Sequence, residues 1–490
     1  MHYSRKEFLE VLNISIQLSK GNDRQHLLNT ILNKSMEFTN CDAGTLYLYE
    51  NNALTFKVMK TNSKNISKGE AGEIIDLPPV PLKEENVCAY AAIHQQVLNI
   101  EDVWTSSMFD FSGFKKYDKL TEYCTKSMLV VPISNYEEKL IGVLQLINAK
   151  DEFGNITHFD KEVEPIILAL ASQGGIILAN QLYLEEIKMQ MWSFTEALAE
   201  TVDARTPYNG SHIRKVAKYA EQMVDYINLL YEQGKETEYF DQQRKEQLVM
   251  GALLHDIGKL VIPLEVLNKA KRLGGNEELL WKRLELIEAY YEIDYLKAFL
   301  SFQEFEEKQN QLKEVKEVVK LVNEASFVPE ELKQRLYKVL PCVYSGNGKV
   351  IPYFTEEEKE CLLIERGTLT KAEREIVESH VVMTERILSK VHFNSYYADC
   401  PTWAVTHHEL LDGKGYPRKL KGEELALESR IMAVVDICDA LLASDRPYKK
   451  PIPREKAFAI MEDMAKAGKL DGKLVGYMKE CLKEDDRDKL

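Results

Sequence analysis

Five apolar residues, Leu170, Ile177, Leu184, Met191 and Leu198, recur at intervals of seven. Ile187 and Phe194 fill the position three later in the last repeats, whereas polar Gln173 and Asn180 occupy it in the first two. A sustained seven-residue repeat is the period of a helix that packs along a seam against another helix. The pattern predicts one long helix over 163–200, with different chain on either side of it. Thr206-Pro207 marks its end, because the residue before a proline is pushed out of the helical region. The repeat reads as a two-chain coiled-coil seam with polar interruptions; the plainer alternative is an amphipathic helix packed on its own domain.

Before that helix the period of the pattern is mixed. Residues 1–40 read as helix, with Leu27, Leu28, Ile31 and Leu32 on one face. Thr45–Tyr49 and Leu54–Val58 are strand-like, with Asn51-Asn52 as a hairpin turn between them. A second strand pair, Ser127–Ser134 and Leu140–Ile147, is joined through Asn135–Glu138. The order helix, strands, loops, strands, helix predicts an α+β sandwich. With VVPI, IGVLQLINAKD and the helix that follows them, residues 1–180 resemble a GAF domain. The resemblance implies a pocket for an unidentified small-molecule ligand, lined by residues between Lys60 and Phe114.

After the helix the chain reads as entirely α-helical, and its chemistry gathers in a few short stretches. In WAVTHHELLDGKGYP, His407 and His408 end an apolar run and two glycines and a proline force a turn. Helical neighbours point about 100° apart, so the pair either binds two ions or binds one and packs the other. His255 and Asp256 follow another apolar run and precede Gly258. His380 and Asp436 each interrupt an amphipathic segment, where a polar side chain is costly unless it is paired or bound to metal. A catalytic zinc ion takes about three protein ligands. Six candidates therefore predict at least two metals sharing a carboxylate, and Asp256 is the natural bridge. Mixed imidazole and carboxylate ligands suit iron, manganese or zinc over magnesium or calcium.

These pieces, with DARTPYNGSHIRKV upstream and RIMAVVDICDALLASDRPY downstream, resemble the HD-GYP subgroup of the HD metal-dependent phosphohydrolases over residues 196–490. The resemblance implies a helical domain, two or three divalent transition-metal ions and hydrolysis of cyclic di-GMP to pGpG or GMP. Another cyclic dinucleotide or nucleotide as substrate, or a catalytically silent cyclic-dinucleotide receptor, are its alternatives. By the same resemblance His255, Asp256, His380, His407, His408 and Asp436 are metal ligands, with Asp203 as a further acid where the family carries Glu. Asp256 and Lys259 stand at the catalytic positions, and Lys259, Tyr416 and Arg446 at substrate-binding ones. The family's short passage after Leu267-Asn268-Lys269 is interrupted here by a charged, helix-patterned insertion over 274–365.

The net charge of −15 offers no basic face to a nucleic-acid polymer, so an acidic substrate must be met by local cations. No run of 18 apolar residues or signal-peptide pattern is present, and eight cysteines lack CxxC spacing. A cytoplasmic homodimer joined through the helix, with no membrane partner, is the expectation. The tail KEDDRDKL is expected to be disordered.

Overall fold

The computed structural model describes residues 24–112, 118, 123–205, 211–346, 348–443 and 452–487. They fall into two compact units divided between Gln190 and Met191.

The N-terminal unit begins with α1 (Arg24–Thr39), β1 (Cys41–Glu50), β2 (Ala53–Thr61), β3 (Ile66–Lys68) and β4 (Val80–Pro81). It continues with α2 (Val87–His94), β5 (Leu98–Ile100), β6 (Met128–Ser134), β7 (Leu140–Lys150), β8 (Ile156–Thr157) and α3 (Glu164–Arg205), whose residues after Gln190 belong to the C-terminal unit. The sheet runs in the order β3-β2-β1-β7-β6-β5, all neighbours antiparallel, with β4 beside β2 and β8 beside β7. Asn51 and Asn52 both take positive φ, 50° and 64°, which is what a two-residue hairpin with right-twisted strands requires. One face of the sheet packs Leu144 and Leu146 against Leu28 and Ile31 of α1 and against Ile167, Leu170 and Leu178 of α3. The other face is covered by α2 through Val87, Cys88 and Ala91. Gly175 lets α3 lie on the sheet, since a Cβ there would sit 2.5 Å from the Ser134 carbonyl oxygen.

Helix α3 is continuous for 42 residues. Its start departs from the seam expected of it. Leu170 is 2% exposed in its own domain's core, because these turns complete the sandwich; Leu184 and Ile187, further along, are 61% and 57% exposed. By length and composition α3 is apolar enough to cross a membrane, and its first half spends that apolarity on the sheet. The predicted stop at Thr206-Pro207 lies outside the described residues, as do residues 1–23 of the expected first helix.

The C-terminal unit holds α4 (His212–Glu232), α5 (Gln242–Leu254) and a 3-10 turn, Ile257–Val261. Next come α6 (Glu277–Leu296), α7 (Phe302–Glu324), α8 (Glu330–Val339), β9 (Val343–Gly346), β10 (Lys349–Pro352) and α9 (Glu356–Leu362). It closes with α10 (Lys371–Glu378), α11 (His380–Leu388), α12 (Cys400–Ala404), α13 (Leu427–Leu442), α14 (Arg454–Lys466) and α15 (Gly472–Arg487). One core joins Val216 and Val224 of α4, Leu248 of α5, Val434 of α13, Phe458 of α14 and Met478 of α15. Residues from Leu273 to Leu362 pack a separate core around Leu284, Val318 and Tyr353. The β9–β10 hairpin inside it adds two strands to a region read from sequence as helical.

Arg272 pins the start of this second core. It is fully buried and donates to the carbonyls of Val322, Ala325 and Ile364. Two of those carbonyls lie at the end of α7, where the regular helical N–H partners run out; that of Val322 also accepts from the Ala325 N–H. The tail expected to be disordered is helical as far as Arg487, in α15.

Candidate metal centre

Chain breaks bring the polar residues inward. Helix α5 ends at Leu254, His255 caps it, and Asp256 caps the 3-10 turn that follows. Gly258 lets that turn press on α11, since a Cβ there would lie 1.9 Å from the His380 carbonyl oxygen. Helix α12 ends at Ala404, so His407 and His408 stand in a turn rather than in the expected helix. Freed from helical spacing, both rings reach the same place, with centroids 4.1 Å apart. The Glu409 carboxylate accepts hydrogen bonds from the main-chain N–H groups of Arg418, Lys419 and Leu420, which fixes the glycine-rich turn. Gly415 is packed so closely that a Cβ would lie 2.5 Å from the His408 carbonyl oxygen.

The six expected ligands converge, and a seventh joins them. His212, the first residue of α4, places Nε2 3.3 Å from Asp436 Oδ1 and 3.5 Å from Asp256 Oδ2. His255 Nε2 is 3.2 Å from the same Asp256 oxygen. The other oxygen, Oδ1, lies 3.3 Å from His380 Nε2 and 4.0 Å from His407 Nε2. His408 Nδ1 is 3.5 Å from Asp436 Oδ2. Among the described residues, three groups have donor atoms close enough to share one ion: His212, His255 and Asp436; His255, Asp256 and His407; His380, His407 and His408. Asp256 thus turns one oxygen toward each half of the cluster.

The tautomers can be read from the hydrogen bonds. Nδ1 of His255, His380 and His407 lies 2.6, 2.6 and 2.7 Å from the carbonyl oxygen three residues earlier in each case. A carbonyl only accepts, so each Nδ1 carries the proton and each Nε2 presents a lone pair. His380 Nε2 and His407 Nε2 are 3.4 Å apart, so two lone pairs face each other with no hydrogen between them. His255 Nε2 and Asp256 Oδ1, both buried, take no hydrogen bond among the described residues. Buried acceptors in that arrangement are costly unless a cation lies between them. The imidazole and carboxylate donors fit a divalent transition ion.

Burial disfavours the charged form of His212, but the carboxylates of Asp256, Asp436 and Asp439 outweigh it and hold its pKa up at about 11, so Nε2 must give up its proton before it can serve as a ligand. Asp439 Oδ2 accepts from His212 Nδ1 at 2.6 Å, orienting the ring as a carboxylate behind a ligand does. Burial, together with His408 and His255, keeps His407 neutral far below the usual histidine range; burial holds His408 at about 4 against the pull of Asp436. Burial alone would raise Asp256 and Asp436, yet Lys259 and the adjoining imidazoles hold the first, and His212 with its neighbouring imidazoles the second, well below the carboxylate range.

Lys259 turns its ammonium onto Asp256 Oδ2. The Tyr416 ring lies 4.8 Å from that of His408, and burial holds its phenol protonated. Asp203 is buried near the end of α3, with Oδ1 3.5 Å from Ile213 N, and lies outside the three groups just described. Arg446 is outside the described residues. In the N-terminal unit a cavity of about 570 Å³ opens between the sheet, at Thr45, Tyr47 and Gln145, and the segment around Pro78, Pro81 and Asn86. Thr45, Tyr47 and Gln145 lie outside residues 60–114, where the resemblance puts the lining.

Family comparison agrees with this division. A model described as GAF domain matches residues 23–178, and two described as HD domain match 209–340 and 358–474. A Vibrio cholerae protein named 3'3'-cGAMP-specific phosphodiesterase 3 is 44% identical over 102 residues, covering 21% of each chain. A Thermotoga maritima protein named cyclic di-GMP phosphodiesterase is 42% identical over 109 residues, covering 22% of this chain and 28% of the relative. The chain thus spans about a quarter of the length of these curated relatives. It is built from a GAF domain followed by an HD domain, the latter carrying the HD-GYP signature at His255-Asp256 and Gly415-Tyr416-Pro417.

Proposed function

We propose that the C-terminal domain is a metal-dependent phosphodiesterase that hydrolyses cyclic di-GMP to pGpG or GMP, under control of the N-terminal GAF domain. The observation that carries this is the set of inward lone pairs on His255, His380 and His407 around a carboxylate that faces both halves of the cluster. Bound there, divalent ions, iron or manganese first and zinc as the alternative, supply the Lewis acidity that phosphodiester hydrolysis needs. Hydrolysis adds water across one phosphodiester: its oxygen bonds to phosphorus, the bond from phosphorus to a ribose oxygen breaks, and that oxygen takes up a proton. Lys259, held at the cluster by Asp256, is the local cation that meets the phosphate in an otherwise acidic chain. The protonated Tyr416 phenol offers a hydrogen-bond donor at the same edge. Arg446 is the further phosphate contact, and Asp203 the acid for any additional ion.

The relatives' names favour a second substrate, 3'3'-cGAMP, within the same reaction class. In this reading the chain is a cytoplasmic homodimer joined through the exposed stripe of α3 that includes Leu184, Ile187 and Phe194. The cavity of the GAF domain takes the small molecule that regulates it. The test is to purify the full chain anaerobically, measure its metal content, and assay both cyclic dinucleotides with product identification. A protein that carries metal and turns over neither substrate refutes the assignment.

A further inference from the structure

The two halves of the cluster come from segments that chain connectivity does not hold together. Asp256 sits at the end of α5, His380 at the start of α11, and the separate core from Leu273 to Leu362 intervenes. The 3.3 Å between Asp256 Oδ1 and His380 Nε2 must be held by contacts across the gap. One buried side chain supplies two of them. Thr384 is fully buried, one turn beyond His380 on α11, and therefore on the same helix face. Its hydroxyl donates to the His255 carbonyl at 3.0 Å and accepts from the Gly258 N–H at 3.0 Å. Those two main-chain groups flank Asp256 on either side. Both lie where one helix has ended and the next turn has begun, so neither has a regular helical partner.

We infer that Thr384 is a positioning residue whose hydroxyl clamps the peptide around Asp256 to the helix bearing His380, and so sets the spacing of the two half-sites. The inference rests on the metal reading above. Thr384→Val keeps the shape and removes both hydrogen bonds, leaving a buried donor and a buried acceptor unpaired. Thr384→Ser keeps both bonds and loses only a methyl group.

The full chain, stripped of metal, is titrated with Co(II) and followed by visible absorption and by metal stoichiometry. Thr384→Val is expected to weaken binding by about ten- to a hundredfold, the usual effect of losing a supporting contact behind a ligand. It is also expected to change the absorption spectrum, while Thr384→Ser behaves as wild type. Wild-type affinity and spectrum in the valine variant overturn the inference, as does an equal loss in the serine variant, which assigns the effect to packing. Should the valine variant fail to fold by circular dichroism, Thr384→Ala beside Thr384→Ser makes the same comparison. A wild-type chain that binds no Co(II) refutes the metal reading itself, and is thereby distinct from failure of the clamp.

Discussion

Replacing Gly258 by alanine tests whether the centre depends on the close approach of two backbones. The added Cβ would lie 1.9 Å from the His380 carbonyl oxygen and 2.6 Å from the Thr384 nitrogen. Both are main-chain atoms, so no side chain can swing aside. Cβ contacts below 3.0 Å are essentially never seen, so the turn and α11 must part by about 1.1 Å. That movement opens the 3.3 Å gap between Asp256 and His380 directly. Overpacking of this kind costs about 1–3 kcal/mol, against a domain stability of about 5–15 kcal/mol. The variant should therefore stay folded. A displacement of about 1 Å in a catalytic array costs on the order of a hundredfold in rate. The assay is turnover of cyclic di-GMP alongside metal content and circular dichroism. Gly275→Ala, where a Cβ would meet nothing within 4 Å, serves as the control and should be silent. Full metal content and wild-type turnover in Gly258→Ala would refute the argument, because the two half-sites would then tolerate separation.

Arg446→Ala should raise the Michaelis constant by roughly ten- to a hundredfold, the worth of a charge-assisted contact to phosphate, while metal analysis stays unchanged; an unaltered rate at low substrate removes Arg446 from the site. Replacing 274–365 by a short linker should leave metal binding intact, because that segment packs a core of its own; loss of metal on chelator-free purification would contradict this. In the GAF domain, burial pushes the Asp42 carboxyl up, but Lys150, Ser63 and Tyr123 outweigh it and hold it below its ordinary 3.8. A carboxyl lowered by folding contributes stability that is present above the unfolded value and lost as pH falls through the folded one. Asp42→Asn should therefore lower the melting temperature at pH 7, with the difference from wild type closing below pH 3.8; a difference independent of pH would exclude the carboxylate as its cause.

Most of the centre was legible because its residues come as neighbours beside a chain break. His255-Asp256 precedes Gly258, and His407-His408 precedes a glycine-rich turn, so each motif announces a polar site at a helix end. His212 was not legible as a member of the cluster. It stands alone after Asn-Gly-Ser, and its partner Asp439 is 227 residues away. A signal did exist in α13, where Asp436 and Asp439 lie three apart in an apolar run and so share a face. One buried acid can serve a metal, and the second then needs a partner of its own. Thr384 was equally hidden, since a threonine in a helix gives no hint that its hydroxyl reaches another segment. In the GAF domain the strands and the Asn51-Asn52 turn were readable, while the fate of Leu170 was not. A seven-residue repeat has the same form whether its first turns face a partner helix or the domain's own sheet.

The carbonyls behind His255, His380 and His407 belong to residues 252, 377 and 404 of the chain's own helices. A support made of main chain is indifferent to which side chain occupies those positions. Mutation can drift through Ala252, Val377 and Ala404 without disturbing a ring's proton, as long as the helix persists and the new side chain fits. It also means that three histidines acquire the correct tautomer as soon as their local helix forms, before the distant parts of the domain have met. His212 has no such insurance. Its Nδ1 proton is held by a single carboxylate brought from a distant segment, which one nucleotide change can erase. Loss of function by drift should therefore begin at Asp439 sooner than at the residues behind the other three rings.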